Sequence, residues 1–164
     1  MEIKTKKSQA MKYHLAMAGE YFVAAQLQRL QVFASVTYGN AKSADVIAFT
    51  KDSDRVVVIE VKTTQNPKWV VGGRIPEKSN KPWVFVSLNE DTEVSPEFFI
   101  LTQEELHLLL APLEKEYFRK YLEKHGVEYG DKPGVVNISR SMLEPYKNCW
   151  SVIKDQLVSR LETK

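Results

Sequence analysis

Cysteine is almost absent. Cys149 stands alone among 164 residues, so no disulfide can form within the chain, and nothing in its cysteine usage points to an oxidising compartment. Long apolar runs are missing too. None approaches the roughly 20 residues of a membrane-spanning helix. The N-terminal stretch MEIKTKKSQAMKYHLAMAGEYF is basic but lacks the apolar centre of a secretory signal. There is no repeat, no low-complexity tract and no linker composition. Charge bias is slight: 23 Lys and Arg against 21 Asp and Glu give a formal net charge of +2. That permits a nucleic-acid partner without demanding one. The histidines His14, His107 and His125 are scattered, with no metal-ligand spacing to one another or to Cys149. These absences lead us to expect a soluble cytoplasmic protein with no membrane contact, folded as a single domain over 1–164.

What is present is 43% hydrophobic and 27% charged residues, ordinary proportions for a globular chain. Residues 8–31 lack proline and are rich in Ala, Leu, Gln and Glu, which predicts a helix. A short strand is expected over 34–39, closed by Gly39. Two strands at 45–50 and 55–63, separated by the turn composition KDSD, read as an antiparallel hairpin. Residues 66–82 contain three prolines and two glycines and read mostly as loop with at most one helical turn. Strands follow at 83–88 and 97–101. Thr102 and Glu105 form a capping box ahead of LHLLL. Pro112 predicts a break, with a second helix from about 113 to 125 that stops at Gly126. Residues 126–141 read as loop. A last helix after Pro145 carries Tyr146, Trp150, Ile153, Leu157 and Leu161 as its packing stripe, with Cys149 in the core. The order implies a mixed α/β arrangement around one sheet.

Four charged residues break this pattern. On the strand at 55–63, Glu60 and Lys62 share a face with Val56 and Val58, because side chains alternate. That face is apolar until its last two members. Asp45 opens the preceding strand, and hairpin pairing brings it beside Glu60 and Lys62. In the helix, Ala16, Glu20, Val23, Leu27 and Leu30 fall on one stripe, so Glu20 lies on the buried-looking side. Carboxylates that converge repel one another and take up protons. A hard divalent cation removes the repulsion, and Mg²⁺ is bound by one or two carboxylates with waters and phosphate oxygens. A lysine beside it suits phosphodiester hydrolysis better than proton abstraction or acyl transfer. The competing explanation is a solvated strand end with a turn-capping aspartate, and a Glu20 that snorkels from the edge of its stripe.

Asp45, fourteen intervening residues, then Glu60-Val61-Lys62 on a strand, with Glu20 on the preceding helix, resembles the PD-(D/E)xK nuclease superfamily. Restriction endonuclease-like proteins and archaeal-type Holliday-junction resolvases belong to it. The resemblance implies a restriction endonuclease-like mixed β-sheet core flanked by helices over 10–88. Residues 89–164 add a C-terminal strand and helices that carry no family motif. It implies that Asp45, Glu60 and the carbonyl of Val61 bind Mg²⁺ or Mn²⁺, that Lys62 acts on the nucleophilic water, and that Glu20 binds a second metal or holds a water. Gln65 matches an accessory glutamine of some subfamilies. The chain departs from the family pattern in having Ala44 where a proline is common, and in lacking a helical composition over 66–82.

That loop is also basic. Lys68, Arg74, Lys78 and Lys81 stand against Glu77 alone, with Trp69 and Trp83 interleaved. Such a composition fits phosphate contacts and base stacking. It fits equally a solvated loop whose tryptophans plug the sheet edge. The basic TKK at 5–7 would add non-specific affinity. Together these residues give the expectation of a Mg²⁺-dependent endonuclease acting on DNA. The alternative is a non-catalytic nucleic-acid- or protein-binding module on the same fold. Nuclease folds of this size commonly act as homodimers, but no interface is readable in the sequence.

Overall fold

Helix α1 (Gln9–Arg29) opens the chain in the computed structural model, which describes residues 8–37, 44–52, 54–131 and 134–158. Ser8 caps it by accepting from the Met11 N–H at 3.2 Å. Gln31, in the left-handed region at φ 62, ends it. Strands β1 (Phe33–Val36), β2 (Val46–Phe49), β3 (Val56–Thr64), β4 (Lys68–Gly72), β5 (Pro82–Ser87) and β6 (Glu97–Thr102) follow. After them come α2 (Gln103–His125), β7 (Val136–Ser139), α3 (Arg140–Leu143), a 3₁₀ turn (Glu144–Tyr146) and α4 (Ser151–Leu157). The protein is mixed α/β. A five-stranded sheet of order β1-β2-β3-β5-β6 is flanked by helices, and β4 pairs with β7 in a separate ribbon. Every neighbour pair of the large sheet is antiparallel except β3 with β5.

Alternation along the strands separates two cores. On one face Val57, Ile59 and Val61 of β3 and Val84 and Val86 of β5 pack against Val23 and Leu27 of α1 and Ile153 of α4. On the other, Trp83, Phe85, Phe99 and Leu101 pack against Leu106 and Leu110 of α2, Trp69 of β4 and Ile138 of β7. This second cover lies over β5 and β6. Beside it the same face of β1–β3 is open: Phe33 and Val56 are exposed, and Phe33 stacks on Phe49. The boundary between covered and open halves runs along β3.

Several sequence expectations need correction. Residues 66–82 are not chiefly loop, since β4 runs through them and pairs antiparallel with β7. For the same reason 126–141 is not loop throughout. Pro112 does not divide a helix: α2 continues through it. Its missing N–H frees the carbonyl of Leu108, a residue 55% exposed, on the side of the helix that water reaches. Tyr146 belongs to the 3₁₀ turn, and the last helix begins only at Ser151. Ala16 is exposed, and Gly19 occupies the buried stripe in its place. The capping box on Thr102 and Glu105 forms as expected, and Gly126 ends α2 in the left-handed region. Gly39, the basic stretch 5–7 and Leu161 lie outside the described residues. Among the described residues, no helix is long and apolar enough to cross a membrane.

Candidate active site

The site forms where β2 begins. Val46 pairs with Ile59 and Phe49 with Val56, so the register carried one step further sets Asp45 opposite Glu60. Asp45 is fixed on two sides. Its N–H donates to the Ile59 carbonyl at 3.1 Å, and its carbonyl accepts from the Thr37 N–H at 3.0 Å. Its Oδ2 accepts the Val61 N–H at 2.8 Å. A side chain has thus taken the next place in the ladder, and the carboxylate lies at the level of the sheet, within reach of both faces.

Glu60 and Lys62 project from the face that carries Trp83 and Phe85, their neighbours in the parallel pairing. Lys62 Nζ donates to Glu60 Oε1 at 2.7 Å, and Lys81 Nζ donates to Glu60 Oε2 at 2.8 Å. The Lys62 ammonium also sits 5.5 Å from the centre of the Trp83 ring. Trp83 is held in turn: its Nε1 donates to Gln103 Oε1 at 3.0 Å, and Gln103 Nε2 donates to the Glu77 carbonyl at 2.5 Å.

Glu20 arrives from α1, on the opposite side of the sheet. It can do so because Gly19 lets the helix close onto β3. A Cβ on Gly19 would stand 1.8 Å from Thr63 Oγ1, so only glycine fits this approach. Burial raises the Glu20 carboxyl to about 7, the nearby Asp45 charge adds to the rise, and Lys62 opposes it. Burial also raises Asp45, against the lowering effect of the Val61 N–H. Glu60 differs. Burial pushes it up, but the Lys62 and Lys81 hydrogen bonds outweigh that and hold it below the ordinary glutamate range. The three acids therefore feel one another and the same lysine, and in two of them, Glu20 and Asp45, burial chiefly and neighbouring negative charge secondarily favour the protonated form.

Carboxylate oxygens are the kind of donor that hard divalent cations prefer, and the raised Glu20 and Asp45 mark a place where positive charge would be stabilising. Among the described residues, however, no three acidic, His or Cys side chains stand as a preassembled metal cage. The reason is visible in the contacts. Glu60 is turned onto its lysines and Asp45 onto the Val61 N–H. An ion of this kind would suit these carboxylates by chemistry, provided Glu60 gave up one of its lysines.

The other sequence candidates separate. Trp69 is 2% exposed; its ring meets Phe85 and Phe99, and its Nε1 donates to the Val86 carbonyl at 3.0 Å. It is a core residue, not a stacking platform. Arg74 lies over the rings of Phe118 and Tyr129 and donates to the Gly130 carbonyl. Its place is a hollow of about 520 Å³ against α2, also lined by Tyr117 and Asn137. Lys68 and Lys78 are exposed. Gln65 donates to the Asn89 carbonyl, in a crevice beside Leu88. Lys81 alone of the basic loop reaches the acidic group. Its contact with Glu60, and the Trp83–Gln103 support, were beyond sequence reading. They depend on β5 lying parallel to β3, a long-range pairing that leaves no local signal.

No protein-family model and no curated protein matches the chain. Among solved structures, a bacterial homing endonuclease is similar over 88% of this chain and 93% of its own, at 13% identity and a TM-score of 0.49.

Proposed function

We propose that the protein is a metal-dependent nuclease that hydrolyses phosphodiester bonds in DNA. The observation that carries this reading is the set Glu20, Asp45, Glu60 and Lys62: three acids, from α1, the residue before β2, and β3, near enough to influence one another's charge, with Lys62 on Glu60, beside an open sheet face. Asp45, Glu60 and the Val61 carbonyl would hold Mg²⁺ or Mn²⁺, which supplies positive charge at a phosphate and a more acidic water. Lys62, held between Glu60 and the Trp83 ring, orients the attacking water and balances charge that develops on the phosphate oxygens. Glu20 would hold a second ion or a water. Its raised affinity for protons also lets it accept one near neutral pH. The backbone anchors on Asp45 keep its carboxylate in place without help from a ligand, so this one member of the site is preorganised. Gln65, in its own crevice, would be a contact to the nucleic-acid strand at most.

The pairing of both Glu60 oxygens with lysines favours one rival. A nuclease fold whose acids are neutralised internally could bind DNA without cutting it. Cleavage decides between them. With Mg²⁺ and duplex or branched DNA, the wild type should cut, while Asp45→Ala and Lys62→Ala each lower the rate by at least roughly a hundredfold with unchanged circular dichroism. Salt-sensitive binding without turnover would establish the module instead. Equal cleavage by all three proteins would remove the site assignment.

A further inference from the structure

Two lysines on one carboxylate are more cation than Glu60 needs for neutrality, and the two are held differently. Lys62 comes from the same strand and keeps the Trp83 ring as a resting place. Lys81 comes from the segment that enters β5, and that segment is pinned to the first turn of α2. The Gln103 N–H donates to the Lys81 carbonyl at 2.8 Å, and the Glu104 N–H to the Ser79 carbonyl at 2.9 Å. His107 Nδ1 donates to the Pro76 carbonyl at 2.8 Å, and the Lys81 N–H to Ser79 Oγ at 3.3 Å. Two of the orphan amides that start a helix are thereby spent on fixing the backbone of this segment, one of them at Lys81 itself. Its side chain ends on Glu60 and is 27% exposed.

We infer that Lys81 is a phosphate-binding residue of the proposed nuclease site, parked on Glu60 until a divalent cation takes that carboxylate and then turned to a phosphate oxygen of the DNA. The inference rests on the nuclease reading above. It makes Lys81 both a competitor of the metal and a contributor to nucleic-acid affinity. Those two roles respond with opposite signs when the charge is removed. A merely structural lysine would lower both affinities together.

The test measures both. Mn²⁺ binding is followed by titration calorimetry without nucleic acid, on the wild type and Lys81→Ala. Binding of a fluorescent duplex oligonucleotide is followed by anisotropy at several salt concentrations in Mn²⁺. It uses Lys62→Ala, in which cleavage is silenced, alone and combined with Lys81→Ala or Lys81→Arg. Loss of Lys81 should tighten Mn²⁺ binding by roughly twofold to fivefold, the scale of one partly exposed ion pair. It should also weaken duplex binding, with the salt slope smaller by about 0.9. Lys81→Arg should restore that slope. If Lys81→Ala weakens Mn²⁺ binding or leaves it unchanged, or leaves the salt slope unchanged, while the wild type still cleaves, this inference fails alone. If the wild type neither binds Mn²⁺ nor cleaves, the nuclease reading fails and takes the inference with it.

Discussion

Glu20 is a charged residue on a helix face that otherwise packs, and its carboxyl titrates near pH 7 because of burial and the neighbouring Asp45 charge. The consequence for stability has a definite sign. The folded chain binds this proton more tightly than the unfolded chain does, so stability is fully present at acidic pH. It is lost as pH rises from about 4.5 toward 7. Gln at this position resembles the protonated acid. In metal-free buffer, Glu20→Gln should melt at the same temperature as the wild type near pH 4.5 and at a higher one at pH 8. Calorimetry at the two pH values checks this. A higher-melting wild type at pH 8 would mean that the charge is compensated. Function and stability pull against each other here, as sites that concentrate charge generally require.

At the scale of elements, the site depends on how closely α1 approaches β3. Gly19 and Thr63 meet with no room between them, and Thr63 Oγ1 is buried without a hydrogen-bond partner. Helix propensity alone would make Gly19→Ala stabilising by about 1 kcal/mol. Overpacking should reverse the sign and cost roughly 1–3 kcal/mol in urea denaturation. A second change, Thr63→Ala, should recover part of the loss. A stabilised Gly19→Ala would show that the helix can retreat.

The same elements explain what could be read in advance. The β2–β3 hairpin was legible because its partners are close in sequence and its alternation is clean: Val57, Ile59 and Val61 inward, Glu60 and Lys62 on the other face. That is why Asp45 and Glu60 could be placed together. The β4–β7 ribbon was not legible. Lys68–Gly72 is short, lies between Pro67 and Gly73, and finds its partner at Val136–Ser139, far along the chain. Local composition cannot encode such a pairing. Pro112 misled for a related reason, since whether a proline ends a helix depends on whether the freed carbonyl can be solvated. For the basic loop, composition grouped six residues that the fold distributes among the core, the solvent, the hollow at Arg74 and the site.

For the molecule as a whole, two cores share one sheet, so the open and covered halves of the face should not melt apart. Trp69 tests this from the side remote from α1. It ties the β4–β7 ribbon to Phe85, Phe99 and the Val86 carbonyl. Trp69→Ala should cost about 3–5 kcal/mol. Unfolding should remain a single transition, with far-ultraviolet dichroism and tryptophan fluorescence coincident. Two separated transitions would assign the ribbon and α2 to an independent unit.

The clamp between α2 and the segment that carries Lys81 has a bearing on where the working part of the chain stops. A shortened protein ending at Ser87 would keep every acid of the cluster and the spacing of Asp45 from Glu60-Val61-Lys62. It would nevertheless have no Gln103 to steady Trp83, and no amide row to brace the strand entrance from which Lys81 projects. The C-terminal half, which carries no recognisable motif, is the scaffolding behind Trp83 and Lys81, and the acids would stand there without that backing if it were removed.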